Sequence, residues 1–245
     1  MSYLKSITTD KQQAKEYFEK SVVKTEQQKF LEELLAGINI NGNINIADIA
    51  CGGGTLSYHL SQKFPLAKFF LSDFSSDALE IAKNINAAQS NFYYTLDDIT
   101  VLKSYETNQF DLVFCWQTLS WLDDAEKAVE QLIRIAKPGA KIFASSLFNT
   151  EYDVDIYSKV VDHTRPSASE QLMYNYNTFS ALTVKNWLKD NAKVKSFALH
   201  QFNPGVAFSY TGKGLGTQTI LTHNNKYLQV SGGMLLNWAV LQIDL

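Results

Sequence analysis

The sequence predicts an α/β fold built on a doubly wound parallel sheet, and three observations carry that prediction. The first is the stretch 44–55, where Ile44-Asn45-Ile46-Ala47-Asp48-Ile49-Ala50-Cys51 runs into Gly52-Gly53-Gly54-Thr55. A continuous apolar run with β-branched residues reads as a strand covered on both faces, and Leu56 and Leu60 beyond the glycines take up helical spacing. The second is the steady alternation of strand-like and helix-like segments from there to Leu147, the rhythm of crossover units in a parallel sheet. The third is where the polar residues fall. Gly52, Asp73, Asp98 and Cys115 all sit at predicted strand ends, the edge on which such sheets bind ligands.

Each element has its own warrant. Strand, glycine turn and helix form a device that lets a backbone approach a ligand closely and turns unpaired N–H groups toward it. Asp48, still on the strand, suits a cationic or amine-bearing ligand better than a diphosphate. Pro65 ends the first helix, and 68–74 is the second strand with Asp73 at its end. An acid at that spacing after a glycine turn can accept two ribose hydroxyls, while Ser75 caps the next helix. A third strand, 91–96, ends at Asp97-Asp98-Ile99-Thr100, where a polar group can take a base amino group and Ile99 can stack. The fourth strand is 110–116. Asp123 or Asp124 caps a helix with Val129, Leu132, Ile133 and Ala136 on one face, Lys137-Pro138-Gly139 stops it, and 141–147 is the fifth strand.

The flanks are less regular. Residues 1–42 read as an N-terminal helical cap, with Tyr17 and Phe18 available to close over a ligand, and 43–245 as the ligand-binding domain. The stretch 149–177 is too long for an ordinary connection and should roof the ligand edge. A helix over 178–191, a sixth strand over 194–199, a hairpin turning at Asn224-Asn225 and a last strand over 234–243 complete the chain.

Composition narrows the function. The chain has 245 residues, 45% hydrophobic and 19% charged, with a formal net charge of −3. One full core is expected, and the acidic balance disfavours nucleic acid, whose phosphates ask for a basic surface. No run approaches the roughly 20 apolar residues of a membrane span, and the first residues lack a signal-peptide core. Cys51 and Cys115 form no disulfide framework, so a cytoplasmic protein without membrane association is expected. No metal cluster is expected.

Taken together, these motifs resemble those of the class I S-adenosylmethionine-dependent methyltransferases, specifically over 43–148. Asp48-Ile49-Ala50-Cys51-Gly52-Gly53-Gly54 is similar to the family's D-x-G-x-G-x-G loop, with Ala50 replacing the first glycine. Ser72 through Lys83, Phe110-Asp111-Leu112-Val113 and Ile133 through Gly139 resemble its later motifs. The resemblance implies a Rossmann-like seven-stranded sheet with an antiparallel last strand. It implies S-adenosyl-L-methionine as cofactor, with S-adenosyl-L-homocysteine as product, and a small-molecule acceptor methylated on O or N. It places Asp48 behind the methionine end, the backbones of Ala50 and Gly52 along the amino acid moiety, and Gly54 in the same loop. Asp73 would take the ribose, Phe74 pack on the adenine, Asp98 and Ile99 read its edge, and the Cys115 backbone lie near the amine.

A sulfonium methyl is already activated, so positioning dominates and a base is optional. His163 in the roof is the first candidate base and Tyr152 the second. Trp116, Gln117 and Trp121 are expected as pocket walls, while His59, His200 and His223 are expected to be structural. The competing readings are a non-catalytic cofactor-binding partner and an NAD-dependent oxidoreductase. The latter would prefer G-x-G-x-x-G, and Ser57 stands at its third glycine.

Overall fold

In the computed structural model, the described residues are 23–38, 42–161, 173–210 and 217–245. Helix α1 (Glu26–Leu34) leads into β1 (Asn45–Ile49), α2 (Thr55–Lys63), β2 (Lys68–Asp73), α3 (Ser76–Ile85), β3 (Phe92–Leu96) and β4 (Phe110–Trp116). A 3-10 turn (Leu119–Trp121), α4 (Ala125–Ile135) and β5 (Ala136–Asn149) follow. The rest comprises β6 (Lys159–Val161), β7 (Met173–Asn175), β8 (Phe179–Ser180), α5 (Ala181–Leu188), β9 (Ser196–Gln201), β10 (Gln218–Leu221), β11 (Tyr227–Ser231), β12 (Met234–Leu235) and β13 (Trp238–Asp244).

The main sheet runs β3-β2-β1-β4-β5-β13-β9, the expected seven-strand path, with β8 added beside β5. Strands β1 to β5 pair in parallel, and β13 lies antiparallel to both β5 and β9. Chain order reverses between β1 and β4, which makes their carboxyl ends the switch point of the sheet. The register sets Ile49 beside Ser72 on one side and Cys115 on the other, so β1, β2 and β4 end at one edge.

Burial explains why this arrangement holds. Ile46, Ala47 and Ile49 have no exposed surface, as expected for a strand covered on both faces. One core cluster gathers Val113, Leu132, Ile133, Ile142 and Leu241, a second gathers Leu31, Leu60, Phe69, Phe114 and Phe143, and a small third gathers Leu147, Tyr176, Leu236 and Trp238. Phe114 stacks on Phe143 at 5.7 Å and Phe69 on Phe92 at 4.8 Å, so aromatic pairs brace neighbouring strands. The helix starts follow the sequence: Asp124 Oδ1 accepts the Lys127 N–H (2.9 Å), and Ser75 Oγ accepts that of Ala78 (3.3 Å).

Several boundaries differ from expectation. β5 begins at Ala136 because Ala136 pairs with Phe110, and the register then shifts so that Pro138 and Gly139 (φ 83°) form a bulge. The expected last strand is two strands. Met234–Leu235 belongs to a separate sheet in the order β10-β11-β12, and Trp238 starts afresh against Leu147. The hairpin turn is a longer loop over 222–226, where Thr222 takes the Asn225 N–H (3.0 Å) and Asn225 adopts φ 57°. The sixth strand lies two residues later than expected.

Gly54 is the tightest point. It caps α2 at φ 71°, and a Cβ there would stand 2.9 Å from Ala82 Cβ and from Asn86 Nδ2, and 3.1 Å from Leu71 Cδ2. Left-handed strain and overpacking together should cost Gly54→Ala about 2–4 kcal/mol. Urea unfolding should show that loss as a lower midpoint, whereas an unchanged midpoint would mean that α2 and α3 do not close on this glycine.

Candidate functional site

The site begins with the turn that ends β1. Ala50, Gly52 and Gly54 all have positive φ, at 55°, 53° and 71°. Glycine adopts this freely, while Ala50 carries a strain of about 1–2 kcal/mol. Loop and β2 are tied by the Cys51 N–H to Ser72 O (3.0 Å) and the Gly52 N–H to Asp73 Oδ2 (2.9 Å). A Cβ on Gly52 would meet nothing within 4 Å, so the outer side of the turn is open.

Two buried carboxyl groups face this turn. Asp48 is 1% exposed; its Oδ2 accepts the Ser57 hydroxyl at 2.7 Å, and its buried Oδ1 has no partner. Burial pushes the Asp48 pKa up to about 7, with the nearby Asp73 charge adding to the effect. Asp73 is also buried; burial raises its pKa against the pull of the Ser75, Gly52 and Phe74 amides. Its Oδ1 takes the Ser75 N–H at 2.9 Å. A buried acid with an idle oxygen, beside a second acid, is a place where an incoming cation removes an existing electrostatic cost. Phe74, next in sequence, is 77% exposed at the same edge and offers a flat apolar face.

The other expected residues fall around this centre. Cys115 is fully buried on β4 with its thiol pushed up to about 12 by burial, and Cys51 is raised by the same cause. Neither is a ready thiolate, so their side chains offer no nucleophile. Asp98 is exposed, its Oδ1 receiving the Thr100 N–H and hydroxyl at 2.8 Å each. Ile99 packs into the core with Ala47 and Ile49. Asp97 is structural: its carboxylate takes the Asp98 and Ser104 amides, and the backbone joins Asp73 O (3.1 Å). Trp121 donates to Gln117 O (2.9 Å) and packs against Tyr174 and Tyr176 of the insert at 5.2 and 4.6 Å.

The structure therefore brings Asp48, Ala50, Gly52, Gly54, Asp73, Phe74 and Cys115 to one edge, with Asp98 and Ile99 at the neighbouring strand end. Tyr152 lies elsewhere, on a cleft of about 360 Å³ beyond β5. His163, Arg165, Tyr17 and Phe18 lie outside the described residues. Of the three histidines expected to be structural, His59 is buried and His200 contacts Gln242 (3.1 Å), but His223 is exposed and lines the Tyr152 cleft. Sequence reasoning missed Ser57, whose signal was a small polar residue one turn into the helix after an acid. It also missed Gln27 of α1, which holds Gln117 Nε2 at 2.5 Å while Gln117 itself sits at φ 55°.

Among the described residues no helix is long and apolar enough to cross a membrane, and no cluster is arranged to hold a metal ion. The Asp48 geometry yields a sign for pH. Its folded pKa, about 7 against an ordinary 3.8, means that the native state keeps a proton the unfolded chain releases between those values. Native stability should fall as pH rises from about 4 to about 7, by at most about 4 kcal/mol. Asp48→Asn should raise the melting temperature of the ligand-free protein at pH near 8 and flatten that slope. A variant as pH-dependent as the parent would show that Asp48 is ionised when folded.

Comparison with known proteins gives the geometry its context. Residues 46–139 match a family model described as a methyltransferase domain. A malonyl-[acyl-carrier protein] O-methyltransferase of Ilyobacter polytropus is 24% identical over 184 residues, covering 75% of this chain and 67% of that protein. A demethylmenaquinone methyltransferase of Leptospira interrogans is 32% identical over 104 residues, 41% of this chain and 42% of that protein. A ubiquinone biosynthesis O-methyltransferase of Coxiella burnetii is 28% identical over 133 residues, 54% and 53% respectively. The chain thus spans only about half the length of the last two. In fold it is similar to the YcgJ protein of Bacillus subtilis, with a TM-score of 0.60 at 12% identity over 88% of this chain and 98% of that one. It is also similar to a Haemonchus contortus phosphoethanolamine N-methyltransferase solved with S-adenosylhomocysteine, with a TM-score of 0.57 at 13% identity over 88% and 52%. Over residues 46–139 the chain carries a methyltransferase domain, in keeping with the S-adenosyl-L-methionine cofactor that its motifs imply.

Proposed function

We propose that the protein methylates an oxygen or nitrogen atom of a small-molecule acceptor, and that the turn after β1 is where its cofactor lies. The observation that carries this reading is Asp48 Oδ1, buried and unpartnered beside Asp73 at an open left-handed turn. That donor set fits a ligand with a cationic end and ribose hydroxyls. When bound, the cofactor supplies a methyl group activated by its sulfonium charge.

The chain's own residues then bind and orient. Asp48 stands behind the methionine end, and the backbones of Ala50 and Gly52 line the amino acid moiety. Gly54 keeps α2 close enough for that line to form. Asp73 retains lone pairs beyond its contacts with the Gly52 and Ser75 amides and the pull of the Phe74 amide, and takes the ribose. Phe74 covers the adenine, Asp98 and Ile99 meet its edge, and the Cys115 backbone lies by the amine. Relatives named for O-methylation of quinone precursors and of malonyl groups support an oxygen acceptor here.

Within this reading His163 accepts the acceptor's proton and Tyr152 positions the acceptor. Protein incubated with methyl-labelled cofactor and a metabolite extract should move label into a small, acid-soluble product. His163→Asn should lower kcat by about 10²–10⁴ with cofactor affinity unchanged, and Tyr152→Phe should mainly raise KM. Label found only in protein or RNA would contradict the acceptor class. Full activity of His163→Asn at every pH would remove His163 from the chemistry.

A further inference from the structure

Beyond β5 the sheet edge carries a cleft of about 360 Å³. Its floor is made where three neighbouring strands meet the ligand edge: Asn149 ends β5, Gln201 ends β9, and Asn237 immediately precedes β13. Because β13 is antiparallel to its neighbours, its beginning lies at the edge where the others end. The sheet order places this floor next to β4, whose end borders the glycine turn. Its far wall is the turn between β10 and β11, which contributes His223 and Lys226.

We propose that this cleft is the acceptor site and that it takes a small polar molecule carrying one anionic group, a carboxylate or a phosphate; the inference rests on the methyl-transfer reading above. The floor is preset, with Asn237 Nδ2 donating to Asn149 Oδ1 at 2.9 Å and Asn149 Nδ2 to Val154 O at 2.5 Å. The Thr222 hydroxyl is spent on the Lys226 backbone at 2.9 and 3.1 Å, but four other polar side chains are uncommitted. Among the described residues Gln201, Asn203, His223 and Lys226 make no side-chain hydrogen bond or ion pair, although all four line the cleft.

Carboxamides donate and accept at once, which matches hydroxyl and carbonyl groups. An apolar ring or prenyl tail would strip water from those amides and return no hydrogen bonds. Among the described residues Lys226 is the only lysine or arginine on the lining, and it belongs to the turn between β10 and β11. Glu151 lines the cleft on the β5 side, two residues past the end of that strand. An anion is therefore drawn to the hairpin side and repelled from the β5 side. The neutral, reacting end of the molecule then faces Tyr152 and the cofactor edge. The volume suits a single small molecule.

The test uses protein saturated with S-adenosylhomocysteine, titrated separately with glucuronate, a glucose monophosphate and neutral glucose. Nitrogen–proton correlation spectra should show saturable shifts of the Gln201 and Asn203 side-chain amides with both anionic probes. Glucose should bind at least about tenfold more weakly, and Lys226→Glu should weaken both anions by about tenfold or more. Tighter binding of one anion identifies the group as carboxylate or phosphate. S-adenosylhomocysteine affinity should be unchanged in Lys226→Glu and in Asn203→Trp, which fills the cleft and should abolish the shifts. No shift with any probe at about 20 mM, equal binding of glucose, or indifference to Lys226→Glu would each overturn the proposal. Failure of the parent protein to bind S-adenosylhomocysteine would instead contradict the cofactor assignment.

Discussion

Two carboxyl groups, Asp48 and Asp73, are held at the ends of adjacent parallel strands around one left-handed turn, and the ligand edge depends on that juxtaposition. The turn exists because Gly54 lets α2 approach α3 within the reach of Ala82 and Asn86. It is oriented because Asp73 takes the Gly52 amide at 2.9 Å. Without the parallel register of Ile49 with Ser72 the two acids would not share an edge. The cost of burying them stands in the raised pKa of each. A cationic ligand offsets that cost, which gives the chain a physical reason to prefer a sulfonium and amine over a diphosphate.

The rest of the edge divides by strand order. The β2-β1-β4 side carries acids, left-handed amides and an exposed phenylalanine, while the β5-β13-β9 side carries carboxamides beneath a small separate sheet. Under the proposed function a charged, ribose-bearing cofactor and a polar acceptor would meet different chemistry along this edge. The 3-10 turn links the two: Trp121 leans on Tyr174 and Tyr176 of the insert while its indole N–H holds the Gln117 carbonyl. Helix α1 reaches the same point through Gln27, and its Phe30 contacts Phe202 just after β9 at 5.7 Å. Helix α1 is thereby tied to both halves of the edge.

Much of this was legible in the sequence because it is written in local pattern. The β1 run, the glycines, the Ser75 and Asp124 caps and the acid ending β2 each need only a few neighbouring residues to be read. What was not legible depends on partners distant in sequence. Leu236 and Asn237 continue an acceptable strand pattern, yet the chain changes sheets there because Trp238 pairs with Leu147 while Leu236 still bonds Gln229. His223 looked like a hairpin-tip residue, and only the folding of β10 and β11 over the β5 end gives it a cleft to line. Ala50 stands where the similar loop has its first glycine, and the strained φ of 55° shows why glycine suits that position better. That Asp48 would keep an unpartnered oxygen could not be read from any spacing, since it depends on which neighbours are missing as well as which are present.

The most direct test of the central claim is calorimetric titration of the unmodified protein with S-adenosylhomocysteine and, separately, with NAD. The acid pair and open turn predict saturable binding of S-adenosylhomocysteine in the micromolar range, about −8 kcal/mol, and no saturable binding of NAD. Tight NAD binding with no response to S-adenosylhomocysteine would contradict the account.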